Sequence, residues 1–255
     1  MGERPAFPTA SWTVPRPRPS RPGALRRAVL ALPLIAAYTV LLGLPAIFFS
    51  LLGRPRSARR MTATWARLVL RSLGIDVTVC GAERCPAGAA VYAANHTSAI
   101  DIPILFGYLP VDFRIIHKRS LYLVPVLGQY LYASGHIGIH RGSAFRARKG
   151  LEVAAERVRA GTSVVVFPEG TRSPEGAVGT FKRSSFLPAL EAGVPVVPLS
   201  LVGVKDVARG GLHVRAGCVQ LLVHAPIPTA GRDVEEAGAL AEEVRQIVMT
   251  GCEAA

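Results

Sequence analysis

The stretch Asn95-His96-Thr97-Ser98-Ala99-Ile100-Asp101 puts an imidazole and a carboxylate five residues apart, directly after the uncharged run 89–94. That run is short, apolar and partly β-branched or aromatic, the pattern of a strand buried in a covered sheet. His96 therefore stands at the exit of a strand. Residues 101–109 read as the helix that follows, with Ser98 placed to accept the backbone N–H of Asp101 as an N-cap. A strand turning sharply into a helix can hold His96 over the sheet edge and bring Asp101 back to one ring nitrogen. The carboxylate would then fix the tautomer and leave the other nitrogen free to take a proton from a substrate hydroxyl, which is general-base chemistry. The same spacing also suits an acidic helix cap beside an ordinary loop histidine, so the heptad alone leaves both readings open.

A second polar stretch, Phe167-Pro168-Glu169-Gly170-Thr171-Arg172-Ser173, follows another apolar strand pattern at 163–167. Strand ends of this kind are where ligands bind in open α/β sheets. Arg172 can hold a phosphate through two parallel hydrogen bonds, and Glu169 can accept from a hydroxyl or orient that arginine. Taken alone, the two side chains equally fit a solvated ion pair. Between these stretches, Gly135-His136-Ile137-Gly138-Ile139-His140-Arg141 delivers Arg141 to a third strand end, so two arginines could converge on one anion. His136 and His140 are four apart but on a strand, and no metal site is predicted. A Gly-x-Ser-x-Gly nucleophile elbow is absent, which argues against a serine esterase.

The elements that must position these residues follow from the pattern of the chain. Strands are expected at 75–79, 89–94, 113–117, 137–139, 163–167, 194–204 and 219–223, and helices near 101–109, 120–132, 143–160, 184–192 and 233–250. That alternation predicts an α/β fold with a mostly parallel or mixed sheet covered by helices. Ahead of it, residues 1–23 form a Pro- and Arg-rich tail with little to bury, and residues 24–74 an N-terminal membrane-associated helical segment; residues 75–255 form the remaining domain. From 28 to 53 there is no charged residue, a length of about 39 Å as helix against a hydrocarbon core of roughly 30 Å. Pro33 and Pro45 are expected to break it, giving a broken or re-entrant segment with arginines at both ends. Residues 57–73 read as an amphipathic helix, with Met61, Trp65, Leu68 and Val69 opposite Arg60, Arg67 and Arg71, either interfacial or packed on the domain.

Half the 255 residues are hydrophobic and the formal charge is +13. Residues 1–60 hold ten Arg and one Glu, so most of the excess flanks the apolar run. That placement suits an anionic membrane surface and argues against specific nucleic-acid binding. The four cysteines show no Cys-x-x-Cys pair, so neither a zinc site nor a disulfide framework is indicated.

With its polar strand ends in this order, the chain resembles the glycerolipid acyltransferase family, most closely the 1-acylglycerol-3-phosphate acyltransferases, over roughly residues 60–225. Asn95-His96 with Asp101 matches the family's first block, 135–141 the second, 167–173 the third, and Val194-Pro195-Val196-Val197-Pro198 is similar to the fourth. The resemblance implies His96 as catalytic base oriented by Asp101, and an acceptor-binding set of Arg141, Glu169, Gly170, Thr171 and Arg172. Lys118 and Lys182 are candidates for substrate or lipid contact. It implies acyl transfer from a thioester, acyl-CoA or an acyl carrier protein, to a lysophospholipid, with no bound cofactor and no metal. A lyso-ornithine lipid as acceptor, and a lipid-binding protein of the same fold without turnover, are the alternatives. The expected location is the cell membrane, catalytic domain on the cytoplasmic side. Where the family carries glycine after Phe181-Lys182-Arg183, this chain has Ser184-Ser185, which would be strained if the backbone there needs positive φ.

Overall fold

A computed structural model describes residues 24–140, 144–173, 177–208 and 214–253. The tail expected at 1–23 and the candidate Arg141 lie outside the described residues. In chain order the elements are α1 (Ala24–Leu51), α2 (Pro55–Leu73), β1 (Ile75–Cys80), β2 (Val91–Ala94), α3 (Asp101–Tyr108), β3 (Phe113–Lys118), α4 (Leu127–Ala133), β4 (Ile137–Ile139), α5 (Ala144–Arg159), β5 (Ser163–Val166), α6 (Leu187–Ala192), β6 (Val196–Val202), α7 (Val204–Val207), β7 (Gly217–Val223) and α8 (Ala237–Glu253).

The seven strands form one mixed sheet in the order β1-β7-β6-β2-β5-β3-β4. Only the β6–β7 pairing is antiparallel. Five strands, β6, β2, β5, β3 and β4, therefore point the same way, and their C-terminal ends share one edge of the sheet. Alternation along β2 divides its side chains between two cores. Tyr92 and Ala94 pack with Leu70 of α2 and Ile104 and Leu105 of α3. Val91 and Ala93 face Ala154 and Val158 of α5, Leu190 of α6 and Leu240 and Val244 of α8. A sheet covered on both faces buries its central strands throughout, so β2, β5 and β6 are almost wholly apolar and their serines, Ser163 and Ser200, are hydrogen-bonded.

Several elements depart from their sequence patterns. Helix α1 runs unbroken through Pro33 and Pro45, because each proline removes a single backbone donor from a helix long enough to keep its other bonds. Ala31–Leu51 is one helix long and apolar enough to cross a membrane. Helix α2 buries Ala58, Thr62, Ala66, Val69 and Leu70, so of Met61, Trp65, Leu68 and Val69 only Val69 is buried. Trp65 instead donates from Nε1 to Thr39 Oγ1 of α1 at 3.0 Å, and Arg67 donates to the Gly107 carbonyl of α3 at 2.8 Å. The helix expected over 120–132 is interrupted: a 3₁₀ turn, Arg119–Leu123, precedes Pro125, and α4 starts only at Leu127. Strand β6 is shorter than 194–204, and α8 is preceded by a 3₁₀ turn whose Asp233 and Glu236 form a capping box. Ser184 and Ser185 lie in the 3₁₀ turn Arg183–Phe186. Among the described residues Val126 is the one non-glycine with positive φ, so the expected serine strain does not arise.

Candidate active site

The edge formed by the C-terminal strand ends begins at Asn95. Its side chain accepts from the Leu201 N–H at 2.8 Å and donates to the Leu201 carbonyl at 3.1 Å, fastening the exit of β2 to β6. His96 follows, nearly buried. Its Nδ1 lies 2.7 Å from Asp101 Oδ2, and the same oxygen accepts the N–H groups of Thr97 at 2.8 Å and Ser98 at 2.9 Å. An oxygen already receiving two backbone N–H groups acts as the acceptor, so Nδ1 carries the proton and Nε2 presents its lone pair. The sequence suggested the Ser98 side chain as cap of α3; instead the Asp101 carboxylate reaches back to the loop, and α3 has no side-chain cap. Fully buried Asp101 thus closes the strand-to-helix turn and orients the imidazole with the same atom.

The β5 exit completes the arrangement. Phe167 through Gly170 form a tight turn closed by the Gly170 N–H to the Phe167 carbonyl at 3.0 Å. The Phe167 ring stacks on the His96 imidazole, centroids 4.1 Å apart and planes inclined by 23°. Glu169, also buried, does not meet Arg172 in an ion pair among the described residues. Its Oε1 accepts the His96 N–H at 2.8 Å and its Oε2 accepts the Gly179 N–H at 3.2 Å. The Ser173 N–H in turn donates to the His96 carbonyl at 2.8 Å. Burial pushes the Glu169 carboxyl above its ordinary range, against the opposing pull of the two N–H donors and of His96. Glu169 therefore holds the histidine's backbone, a role different from the hydroxyl or arginine contact that its residue type suggested.

Gly170 takes φ +72, and a Cβ there would stand 2.5 Å from Lys182 Nζ. The lysine tip lies directly across the turn and could swing aside, so it is the positive φ that calls for glycine. Thr171, Arg172 and Lys182 are exposed and, with Glu169, Gly179 and Phe181, line a groove of about 660 Å³. His96 is not on its wall and joins it through Glu169. Asp101 and Glu169 are thus each brought onto His96; Thr171, Arg172 and Lys182 line the adjoining groove, and Gly170 lies in the turn beside it. Lys118 is exposed at the end of β3, where its carbonyl lies 3.0 Å from His117 Nδ1. His136 is buried with Nδ1 accepting the Ile115 N–H at 3.0 Å, and burial, with Arg114 and His117 nearby, holds it well below the usual histidine range. That makes it a neutral structural acceptor. No cluster of three or more metal-ligating side chains occurs among the described residues. Phe167 and Asn95 were not singled out from sequence; their position at strand ends is a signal, but their partners are not.

A family model described as Acyltransferase matches residues 76–202. A 1-acyl-sn-glycerol-3-phosphate acyltransferase of Chlamydomonas reinhardtii is 36% identical over 156 residues, covering 60% of this chain and 47% of the relative. The Saccharomyces cerevisiae protein of the same name is 32% identical over 207 residues, covering 78% and 67%. The chain thus spans about half the length of the algal relative and two thirds of the yeast one. The crystal structure of a 1-acyl-sn-glycerophosphate acyltransferase, PlsC, from Thermotoga maritima superposes with a TM-score of 0.79 at 29% identity, over 90% of this chain and 95% of that one.

Proposed function

Because the chain belongs to the acyltransferase family, we propose that it moves a fatty acyl group from a thioester to the free hydroxyl of 1-acyl-glycerol-3-phosphate, yielding phosphatidic acid. The observation that carries this reading is the His96 Nδ1 to Asp101 Oδ2 contact of 2.7 Å, which leaves Nε2 as a base at the strand edge. Nε2 takes the hydroxyl proton as the acceptor oxygen attacks the thioester carbonyl. Asp101 supports the positive charge that develops on the ring. Collapse of the tetrahedral adduct breaks the C–S bond, and the imidazolium returns its proton to the departing thiolate. No acyl-enzyme is required.

Arg172 and Lys182 border a groove suited to the acceptor's phosphate, and Arg141 is assigned to the same task from its place in the family pattern. Glu169 and Thr171 line that groove, and Gly170 forms the turn that carries them. Lys118, exposed at the sheet edge, is assigned to lipid or donor contact. The donor is acyl-CoA or an acyl carrier protein. Residues 24–74 anchor the chain to the cell membrane and residues 75–255 form the catalytic domain, facing the cytoplasm.

Purified full-length protein tested for thiol release with a panel of lysophospholipids, and separately with a lyso-ornithine lipid, decides the acceptor. Phosphate-dependent activity that His96→Ala abolishes at unchanged thermal unfolding is the expected result. Activity surviving His96→Ala removes the general-base mechanism, and activity confined to a phosphate-free acceptor replaces the substrate.

A further inference from the structure

The segment between the Arg119–Leu123 turn and α4 is built unlike a water-facing loop. Leu123 is 84% exposed and Tyr132 of α4 is 77% exposed, with Val124 also open. Pro125, Val126 and Leu127 make a three-residue turn closed by the Leu127 N–H to the Pro125 carbonyl at 2.7 Å. Its centre, Val126, has φ 63° and ψ −52°, a conformation that a β-branched residue adopts only under constraint. The constraint is α1. A Cβ added to Gly43 of α1 would stand 2.6 Å from Val126 Cγ1, so the valine fills the notch that the glycine leaves. A second tie, Ser50 Oγ to Ser134 Oγ at 2.8 Å, joins the end of α1 to the end of α4.

These two ties fix α4 and its loop alongside the last two turns of α1. From Gly43 to Leu51 the helix rises about 12 Å, close to the thickness of one hydrocarbon leaflet. Leu44, Phe48 and Leu51 on α1 are exposed over the same stretch. Just beyond the helix come Arg54, Arg56, Arg59 and Arg60, with Arg119 at the start of the loop; all five are exposed and none forms an ion pair among the described residues. An apolar patch flanked by free guanidinium groups matches a monolayer of anionic lipid, acyl chains against the patch and headgroups against the arginines.

We propose that Leu123, Val124 and Tyr132 form a second insertion element that enters the same leaflet as the C-terminal half of α1. The membrane is thus held by a helix and by a loop of the catalytic domain itself, which sets how that domain sits on the lipid. The proposal rests on the reading of α1 as an anchor, and its test separates the two. The full chain carrying Leu123→Cys, Leu44→Cys or Val234→Cys is labelled with an environment-sensitive fluorophore, with labelled unsubstituted protein as background. It is then reconstituted into phosphatidylcholine–phosphatidylglycerol vesicles with a doxyl quencher on the acyl chain.

The expected result is a blue shift and loss of emission for labels at positions 44 and 123, and neither at position 234. Quenching at 44 without quenching at 123 overturns the second element and leaves the anchor. Quenching at neither overturns both. A label at 123 that is blue-shifted yet insensitive to the doxyl assigns the patch to protein contact and also overturns the proposal.

Discussion

Replacing Asp101 by Asn isolates the part that its charge plays. All three donors at this side chain, His96 Nδ1 and the Thr97 and Ser98 N–H groups, meet a single oxygen, so an amide oxygen in the same place keeps the three contacts. The other carboxylate oxygen is buried with no partner among the described residues, so the amide nitrogen that replaces it has no acceptor and thermal unfolding should come somewhat earlier. What is lost is the attraction between a carboxylate and the imidazolium formed as the proton transfers. At an effective dielectric constant near 20, opposite unit charges about 4 Å apart attract by roughly 4 kcal/mol. That attraction acts on the transition state and is absent while the ring is neutral, so kcat should fall by about three powers of ten. KM should hold, because Asp101 is fully buried and has no surface to offer substrate. Thiol release by the purified full-length variant, with its thermal unfolding as a check on folding, measures both. A folded Asp101→Asn protein within tenfold of the parent would refute the claim that this carboxylate supports a developing charge.

Two further outcomes follow from the same contacts. In Glu169→Gln one of the two backbone donors, from His96 or Gly179, must face an NH₂ group instead of an oxygen; denaturant unfolding should register a loss of about 1–3 kcal/mol, with kcat reduced more than KM. His224 Nε2 donates to Ser200 Oγ at 2.8 Å while Ser200 donates to the Val248 carbonyl, and burial, with Arg84 nearby, lowers this histidine to about 4. Its folded value lies below the unfolded one of about 6.5, so between these limits the unfolded chain binds more protons and stability falls as pH drops, by up to roughly 3 kcal/mol. Urea midpoints taken across that window should flatten in His224→Gln, and an unchanged slope would show that another group is responsible.

The parts of the fold legible in the sequence are those set by local chemistry. Runs such as Val91–Ala94 and Ser163–Val166 have no charge to expose and can only be central strands. The strand order, and the reversal of β7 against β6, depend on pairings between residues far apart in the chain, which periodicity does not encode. Helical spacing runs through 120–132, but Pro125 lacks a donor and Val126 is pulled against Gly43, a contact no local pattern contains. At the site, the five-residue spacing of His96 and Asp101 allowed either a pair or a helix cap, and the 2.7 Å contact decides for the pair. The true partners of Glu169 were hidden because both are backbone N–H groups, which every residue carries alike. The stacking of Phe167 on His96 was hidden for a related reason: an aromatic residue at a strand end reads as core until the facing ring is known.

The double strap between the two strand exits, Glu169 to the His96 N–H and the Ser173 N–H to the His96 carbonyl, makes one rigid yoke of two loops with different duties. The loop that carries Arg172 and the backbone of His96 are thus one hydrogen-bonded unit. On the proposed reading, an acceptor without the phosphate would meet the same imidazole, held by Asp101 at 2.7 Å whether or not the groove is filled, and would be disfavoured by its seating alone.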